Sequence, residues 1–369
     1  MAAHVKQMLA GETDIVFHYC QDPARAIETA NAVNPTVILQ DLVMPEIDGL
    51  QLVKFYRANA GTRDTPLVVL SSKEEPIIKA RAFALGASDY MVKLPDKLEV
   101  IARVRYHSRG YINLLERNEA YRALAEKQRE LAAEVNRAAR YVQSLLPAPI
   151  TSGSFAVNWK FVPSTQLAGD MFGYHWIDKK HFAIYLLDVS GHGVGSALLA
   201  VSAANVISSG GLPGVDPRDP GRVMTKLNEM FQMERQDGKY FTIWYGVYRP
   251  AERALAYCNA GHPPALLYSA GEVQQLEADG PAVGMVPELP YETRTTEVGK
   301  GARLLIYSDG VFEVEKPDGQ MWQYTDFVEQ IVPELAHDGD LIGRHLEFCR
   351  EMSKVDVLGD DFSMVEMRF

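Results

Sequence analysis

The sequence predicts a chain in three parts: a parallel α/β domain, one long helix and a mixed α/β domain. Three observations carry that reading. Within residues 1–110, apolar strand-like runs alternate with helical patterns, as in a parallel sheet covered by helices. Residues 111–146 contain neither Gly nor Pro and read as one helix. From Pro147 to Phe369, strand-like runs and turn signals dominate, with helical stretches near 192–209, 221–235 and 325–353.

In the first part the expected strands are Asp14-Ile-Val-Phe-His-Tyr, Thr36-Val-Ile-Leu-Gln, Pro66-Leu-Val-Val-Leu and Ser88-Asp-Tyr-Met-Val. Asp41 follows the second of these and opens a loop, Leu-Val-Met-Pro-Glu-Ile-Asp-Gly49. Parallel sheets bind ligands at the carboxyl ends of their strands, where that carboxylate falls. Ser71 and Lys93 end the next two strands. A hydroxyl and an ammonium around a carboxylate suit a phosphorylated aspartate, though three unrelated polar residues would share this spacing.

The middle helix carries apolar residues at Leu114, Tyr121, Leu124, Leu131, Val135, Ala138, Val142 and Leu145, stepping by three and four. Arg117 and Gln128 are the polar interruptions. A seam repeating every 3.5 residues predicts a two-stranded coiled coil, in which a polar seam residue fixes register. A helix packed on its own domain needs only a wider stripe and is the bland alternative.

The third part holds four aspartates, each in a turn of small or acidic residues. Asp170 sits in Leu-Ala-Gly-Asp, Asp188 in Leu-Leu-Asp-Val-Ser-Gly-His-Gly, Asp309 in Tyr-Ser-Asp-Gly and Asp360 in Gly-Asp-Asp-Phe-Ser. Asp188 and Asp309 follow apolar runs, and carboxylates at strand ends are what hard divalent cations require. Together they point to metal-assisted hydrolysis, although a single Asp-Gly turn is more often structural. His192 reads as a polar residue opening a helix, with a general acid near the cations as the alternative; His262 reads as structural, and His345, Glu347 and Arg350 as a solvated helix face.

Composition narrows the field. A net charge of −11 argues against nucleic acid as a partner. Cys20, Cys258 and Cys349 are far apart, so neither a zinc site nor a disulfide framework is expected. No run is long enough for a membrane span, and no signal peptide opens the chain, so a cytoplasmic protein is expected.

Residues 3–108 resemble a two-component receiver domain, of the kind attached to diguanylate cyclases of the WspR type. Gln40-Asp-Leu-Val-Met-Pro and Val92-Lys-Leu-Pro-Asp carry the likeness. It implies a flavodoxin-like fold with Asp41 as phosphoacceptor, Ser71 as switch hydroxyl, Lys93 as the family's lysine, and a histidine kinase as phosphodonor. Receivers begin with a strand ending in two acidic residues that hold Mg²⁺; this chain starts on what reads as the first helix, Met1-Ala-Ala-His-Val-Lys-Gln-Met-Leu. The expectation is a receiver lacking its first strand, with two neighbouring strands left partly unpaired. No Gly-Gly-Asp-Glu-Phe signature follows, so a cyclase is not expected.

Residues 147–369 resemble the SpoIIE/RsbU branch of metal-dependent serine/threonine phosphatases. Ala168-Gly-Asp, Asp188-Val-Ser-Gly-His-Gly, Asn259-Ala-Gly-His-Pro-Pro, Tyr307-Ser-Asp-Gly-Val and Asp360-Asp-Phe-Ser fall in the family's order. The resemblance implies a β-sandwich flanked by helices and two Mn²⁺ or Mg²⁺ ions. Asp188 would bridge the ions, with Asp309 beside it at the catalytic centre. Asp170, Asp309, Asp360 and the Val189 carbonyl would complete the ligand set, and a one-residue slip keeps Asp361 in reserve. Ions about 3.5–4 Å apart lower the pKa of a shared water and neutralise phosphoryl oxygens. Met171-Phe-Gly replaces the family's Phe-Tyr-Asp, which should alter substrate contacts more than metal binding. The implied function is a receiver-controlled phosphatase acting on phosphoserine or phosphothreonine of an anti-sigma-factor antagonist. The alternative is an RssB-like adaptor that binds a sigma factor or an anti-sigma partner without catalysis. Retention of all four aspartates favours the enzyme.

Overall fold

Three of the four strands expected in the first part form, and they form one parallel sheet. The computed structural model describes residues 2–44, 47–72, 75–93, 95–277 and 280–369, which group into two units, Met1–Arg129 and Glu130–Phe369. In the first unit, α1 (Ala2–Leu9), α2 (Ala26–Val33), β1 (Ile38–Asp41), α3 (Gly49–Ala58), β2 (Leu67–Ser71), α4 (Pro76–Ala84) and β3 (Asp89–Val92) succeed one another. The sheet order is β1-β2-β3, with Asp41 opposite Leu70 and Ser71 opposite Val92. Pro45 and Glu46 of the loop after Asp41, and Leu94 after Lys93, lie outside the described residues.

Segment 14–19 forms no strand, contrary to expectation. Among the described residues, β1 is paired on one side only, by β2, and no neighbouring segment offers 14–19 a ladder. Without one its N–H and C=O groups gain nothing from strand geometry. Its apolar pattern is still used, because Ile15 and Phe17 pack beneath Val68, Leu70 and Met91. Arg105 anchors the flanking chain by donating to Glu12 at 2.7 Å and Asp14 at 2.8 Å.

The long helix, α5, runs over Lys97–Ser144 and so begins well before residue 111. Tyr121, Leu124 and Leu131 are 64%, 55% and 63% exposed. Farther on the seam turns onto its own unit. Val135 and Val142 pack with Ala139, Leu167 and Ala197, so the apolar stripe widens as a domain-packed helix requires.

The second unit is a sandwich of two antiparallel sheets between two helical layers. Its strands are β4 (Ala156–Val162), β5 (Asp170–Asp178), β6 (His181–Val189), β7 (Phe241–Arg249), β8 (Ala254–Ala260), β9 (Ala265–Ser269), β10 (Glu272–Leu276), β11 (Arg294–Glu297), β12 (Arg303–Tyr307) and β13 (Phe362–Arg368). Its helices are α6 (Val194–Ser208), α7 (Pro220–Met230), α8 (Tyr324–Glu334) and α9 (Leu341–Ser353). One sheet has the order β11-β8-β7-β6-β5, the other β10-β9-β12-β13-β4. Phe172, Phe182, Ile184 and Trp244 of the first sheet meet Leu304, Ile306, Val365 and Met367 of the second, closing the core. Helices α6 and α7 cover the outer face of the first sheet, and α8 and α9 that of the second. The helical stretch expected over 325–353 is thus two helices, divided where Gly339 takes φ 121° and Asp340 caps α9.

Met171 and Phe172 belong to this interior, 3% and 2% exposed, and a side chain on Gly173 would strike the Tyr185 ring. The departure at Met171-Phe-Gly is therefore a core substitution, not a change of substrate contacts. Among the described residues, no helix is long and apolar enough to cross a membrane.

Candidate active site

Sheet pairing brings the four aspartates to one end of the sandwich. Asp170 opens β5 and Asp188 is the penultimate residue of β6; antiparallel pairing makes them cross-strand partners. Asp309 follows β12, and Asp360 precedes β13. The β12–β13 ladder pairs Tyr307 with Met364, and Ser308 N–H donates to the Ser363 carbonyl at 3.0 Å. A Cβ on Gly310 would overlap the Asp361 carbonyl oxygen, so this Asp-Gly turn needs glycine to close on Asp360-Asp361.

Asp361 joins the two sheets. Its Oδ1 accepts from Ser164 N–H at 2.8 Å and from Ser164 Oγ at 2.9 Å, and its Oδ2 accepts from Gly169 N–H at 2.8 Å. Both carboxylate oxygens are therefore committed to the loop that delivers Asp170. Asp360 is exposed and uses one oxygen, Oδ1, to accept from Asp361 N–H at 2.7 Å.

The electrostatics mark a site built for positive charge. Burial, then the charge of Asp309 and Asp360, pushes the Asp188 carboxyl up to about 8. Asp309 is raised to about 6 by burial, Asp360 and Glu313. Asp170, 2% exposed, is held well above the usual carboxylate range by burial and by Asp188 and Asp361. The Ser363 and Ser308 hydroxyls pull it the other way, yet Asp170 Oδ2 has no partner of hydrogen-bonding geometry among the described residues. Asp360, though its surface reaches solvent, is raised by partial desolvation and by the charge of Asp361, with the bond from Asp361 N–H and His192 opposing. A buried carboxylate oxygen without a donor, among carboxyls that repel one another, fits divalent cations with oxygen ligands. Among the described residues, no three acidic, His or Cys side chains close into a ready-made cage for an ion.

Residues given no role by the sequence reading support the set. Thr242 is the cross-strand partner of Asp188, and its Oγ1 lies 2.9 Å from His262 Nδ1. His262 is tied to Asn259 by N–H and carbonyl bonds of 2.9 Å each, and burial lowers its pKa to about 3. A neutral histidine behind Thr242 is structural, in agreement with the sequence reading. His345 corrects it: far from solvated, it is 1% exposed and its Nε2 lies 3.1 Å from the Val311 carbonyl. Val311 ends the turn begun by Asp309, so α9 braces a catalytic candidate from below. Glu347 is exposed and Arg350 donates to it at 2.9 Å, as a solvated face would have it. Ser308 and Ser363 stood inside the recognised motifs, so their hydroxyls were within reach of the sequence reading; Thr242 and Ser164 carried no local signal.

In the first unit, Lys93 Nζ donates to Asp41 Oδ1 at 2.7 Å. Ser71, buried, ends the strand between them.

Known proteins match this architecture in two stretches. Residues 178–369 match the family described as Stage II sporulation protein E (SpoIIE), and residues 1–105 match the response regulator receiver domain. Asp170 lies just ahead of the first match. The phosphoserine phosphatase RsbP of Bacillus subtilis is 29% identical over 217 residues, covering 55% of this chain and 53% of RsbP. The phosphoserine phosphatase RsbU of the same organism is 25% identical over 245 residues, 65% of this chain and 71% of RsbU. The chain thus spans about half the length of RsbP. Among solved structures, the SiaA-PP2C domain of Pseudomonas aeruginosa superposes with a TM-score of 0.57 at 20% identity, over 66% of this chain and 98% of that domain. This shared fold, with the match over residues 178–369, places the chain in the SpoIIE family, carrying a response regulator receiver domain at its N-terminal end.

Proposed function

We propose that the chain is a metal-dependent protein phosphatase that hydrolyses phosphoserine or phosphothreonine on a regulatory protein under control of its receiver. One observation carries this reading: four aspartates from two sheets converge at one end of the sandwich, with three of them pushed up by burial and mutual charge. Asp170, Asp188, Asp309, Asp360 and the Val189 carbonyl would hold two Mn²⁺ or Mg²⁺ ions. When bound, such ions polarise phosphoryl oxygens and acidify water. The chain's own residues supply the frame. Asp361 fixes the Asp170 loop, Gly310 lets the Asp309 turn close on it, and the Thr242–His262 pair backs Asp188. The relatives' name, phosphoserine phosphatase, supports the reaction class. Asp361 belongs to the frame, because both its oxygens are committed; Asp360 is the ligand.

The partner readings extend this proposal. A phosphorylated anti-sigma-factor antagonist is the substrate class that the family likeness suggests. In an intact receiver, with the acidic pair that holds Mg²⁺, a histidine kinase would phosphorylate Asp41, with Lys93 and Ser71 reading the phosphoryl group. We place the protein in the cytoplasm, in keeping with three free cysteines. We take residues 1–110, 111–146 and 147–369 as receiver, linker and phosphatase domain.

The function is tested by measuring hydrolysis of an aryl phosphate and of a phosphoserine peptide with and without Mn²⁺. Metal-dependent release of phosphate from both is expected, and a chain inert under all conditions would refute the proposal.

The exposed Tyr121, Leu124 and Leu131 of α5, continued by the half-buried Leu114, support a homodimer, since apolar residues at this spacing seek a partner helix. Light scattering should give the mass of two chains. Replacing Leu124 and Leu131 by Lys should give the mass of one, and a wild-type monomer at high concentration would dismiss the dimer.

A further inference from the structure

The loop after Asp188 holds a feature that metal binding does not use. Ser190 N–H donates to the Tyr240 carbonyl at 2.9 Å, and Tyr240 N–H donates to Ser190 Oγ at 3.1 Å. These two bonds pin residue 239 across the loop Gly191-His192-Gly193. Gly191 and Gly193 take φ 78° and 92°, and α6 starts directly after them. The Lys239 side chain crosses this turn. A Cβ built on Gly195 would stand 3.1 Å from Lys239 Cε, and one built on Gly191 would stand 3.7 Å from Nζ.

Gly195 is the informative residue. It lies in the first turn of α6 without a positive φ, so its backbone does not demand glycine. What its missing side chain provides is a bed for the lysine stem. The ammonium is delivered to the turn three residues after Asp188, and among the described residues no carboxylate forms an ion pair with it. Lysine is half-buried here, where holding a long side chain in one place costs rotamer entropy. A cation held beside an acidic centre, and not neutralised by it, is free to meet an incoming anion.

We infer that Lys239 is a substrate-binding residue: its ammonium, laid over Gly191 and Gly195, pairs with the phosphoryl group presented to the carboxylate centre. This deepens the phosphatase reading and rests on it. The acidic centre repels a phosphate dianion from every side, and cations in the metal sites offset only the charge next to them. Lys239 adds positive charge at the rim, on the side of the glycine turn. It approaches the phosphoryl oxygens without ligating metal, so its loss should weaken phosphate binding and leave metal affinity unchanged.

The test titrates inorganic phosphate calorimetrically into the Mn²⁺-loaded full chain, alongside kcat and KM for an aryl phosphate. Lys239→Gln keeps the stem and removes the charge. Its phosphate dissociation constant and its KM should rise about tenfold, with Mn²⁺ affinity and Tm unchanged. Lys239→Arg should recover most of the loss. Gly195→Ala keeps the charge but crowds the stem, and should weaken phosphate binding without lowering Tm. Unchanged phosphate binding in Lys239→Gln overturns the assignment, as does a loss of Mn²⁺ affinity equal to the loss of phosphate affinity. A wild-type chain that binds phosphate through Lys239 yet hydrolyses nothing leaves the assignment standing and defeats the hydrolytic reading instead.

Discussion

Asp188→Asn is expected to abolish Mn²⁺-dependent hydrolysis, by about a thousandfold or more, while making the metal-free protein more heat-resistant at pH 8. The two effects have one origin. Burial, with Asp309 and Asp360 nearby, raises the folded-state pKa of Asp188 to about 8, against roughly 3.9 in an unfolded chain. A carboxyl with a raised folded pKa stabilises the fold fully below its unfolded pKa, and that contribution fades as pH climbs through the folded value. Between about pH 4 and 8 the metal-free wild type therefore loses stability, because the unfolded chain releases the Asp188 proton while the folded chain has to keep it. The amide cannot ionise, so the variant escapes this loss and should melt a few degrees higher at pH 8. At pH 4 the difference should vanish.

Catalysis moves in the opposite direction, because the charge that burdens the empty site is the charge that holds the ions. Mn²⁺ must displace the protons of Asp188 and Asp309, so wild-type affinity should rise steeply from pH 6 to 8. Mn²⁺ should also raise the wild-type Tm, by mass action, and leave that of Asp188→Asn unmoved. An Asp188→Asn enzyme within tenfold of wild type would remove Asp188 from the catalytic centre. Lower stability than wild type at pH 8 without metal would refute the electrostatic account.

The strand ends that carry Asp188 and Asp309 were legible because short apolar runs followed by Asp with Gly close behind are a local pattern, and local patterns survive in sequence. Asp41, Ser71 and Lys93 were legible from equally local patterns, Asp41 and Ser71 ending two parallel strands and Lys93 directly following a third. Segment 14–19 was misleading because alternation records which side chains are buried, not whether a ladder is available. Ile15 and Phe17 are packed as expected, with no strand to show for it. His345 was misread because a helix face flanked by Glu347 and Arg350 looks solvated. Its burial depends on Trp322, Phe327 and Phe362, which approach from outside α9. The coiled-coil reading held its period too far, since Leu167 and Ala197 reach Val135 and Val142 from distant sequence. Asp361 stayed in reserve behind Asp360 for a further reason: neighbours in a turn differ only in direction, and direction depends on Ser164 and Gly169, almost two hundred residues away.

That pair yields the second large effect. Asp361→Ala should lower the melting temperature by about 10 °C, whereas Asp360→Ala should leave it unchanged or raise it in metal-free protein. Removing the Asp361 carboxylate strands the N–H groups of Ser164 and Gly169, the latter buried. Each lost partner costs about 1–3 kcal/mol, and in a unit of this size about 2–4 °C accompanies each kcal/mol. Asp360 contributes nothing to the frame beyond accepting one bond from the adjacent Asp361 N–H. Its charge raises Asp188 and Asp309, so its loss relieves repulsion. Activity should invert the order. Asp360→Ala should lose hydrolysis outright with its metal ligand, while Asp361→Ala should keep it at about 1–10% of wild type, with a higher Mn²⁺ requirement, as expected when a ligand's support is lost. Thermal melts and Mn²⁺ titrations of the two variants, side by side, decide the assignment. If Asp361→Ala proves stable and inactive while Asp360→Ala melts early, the roles are exchanged, and the geometry around Ser164 and Gly169 does not govern the site.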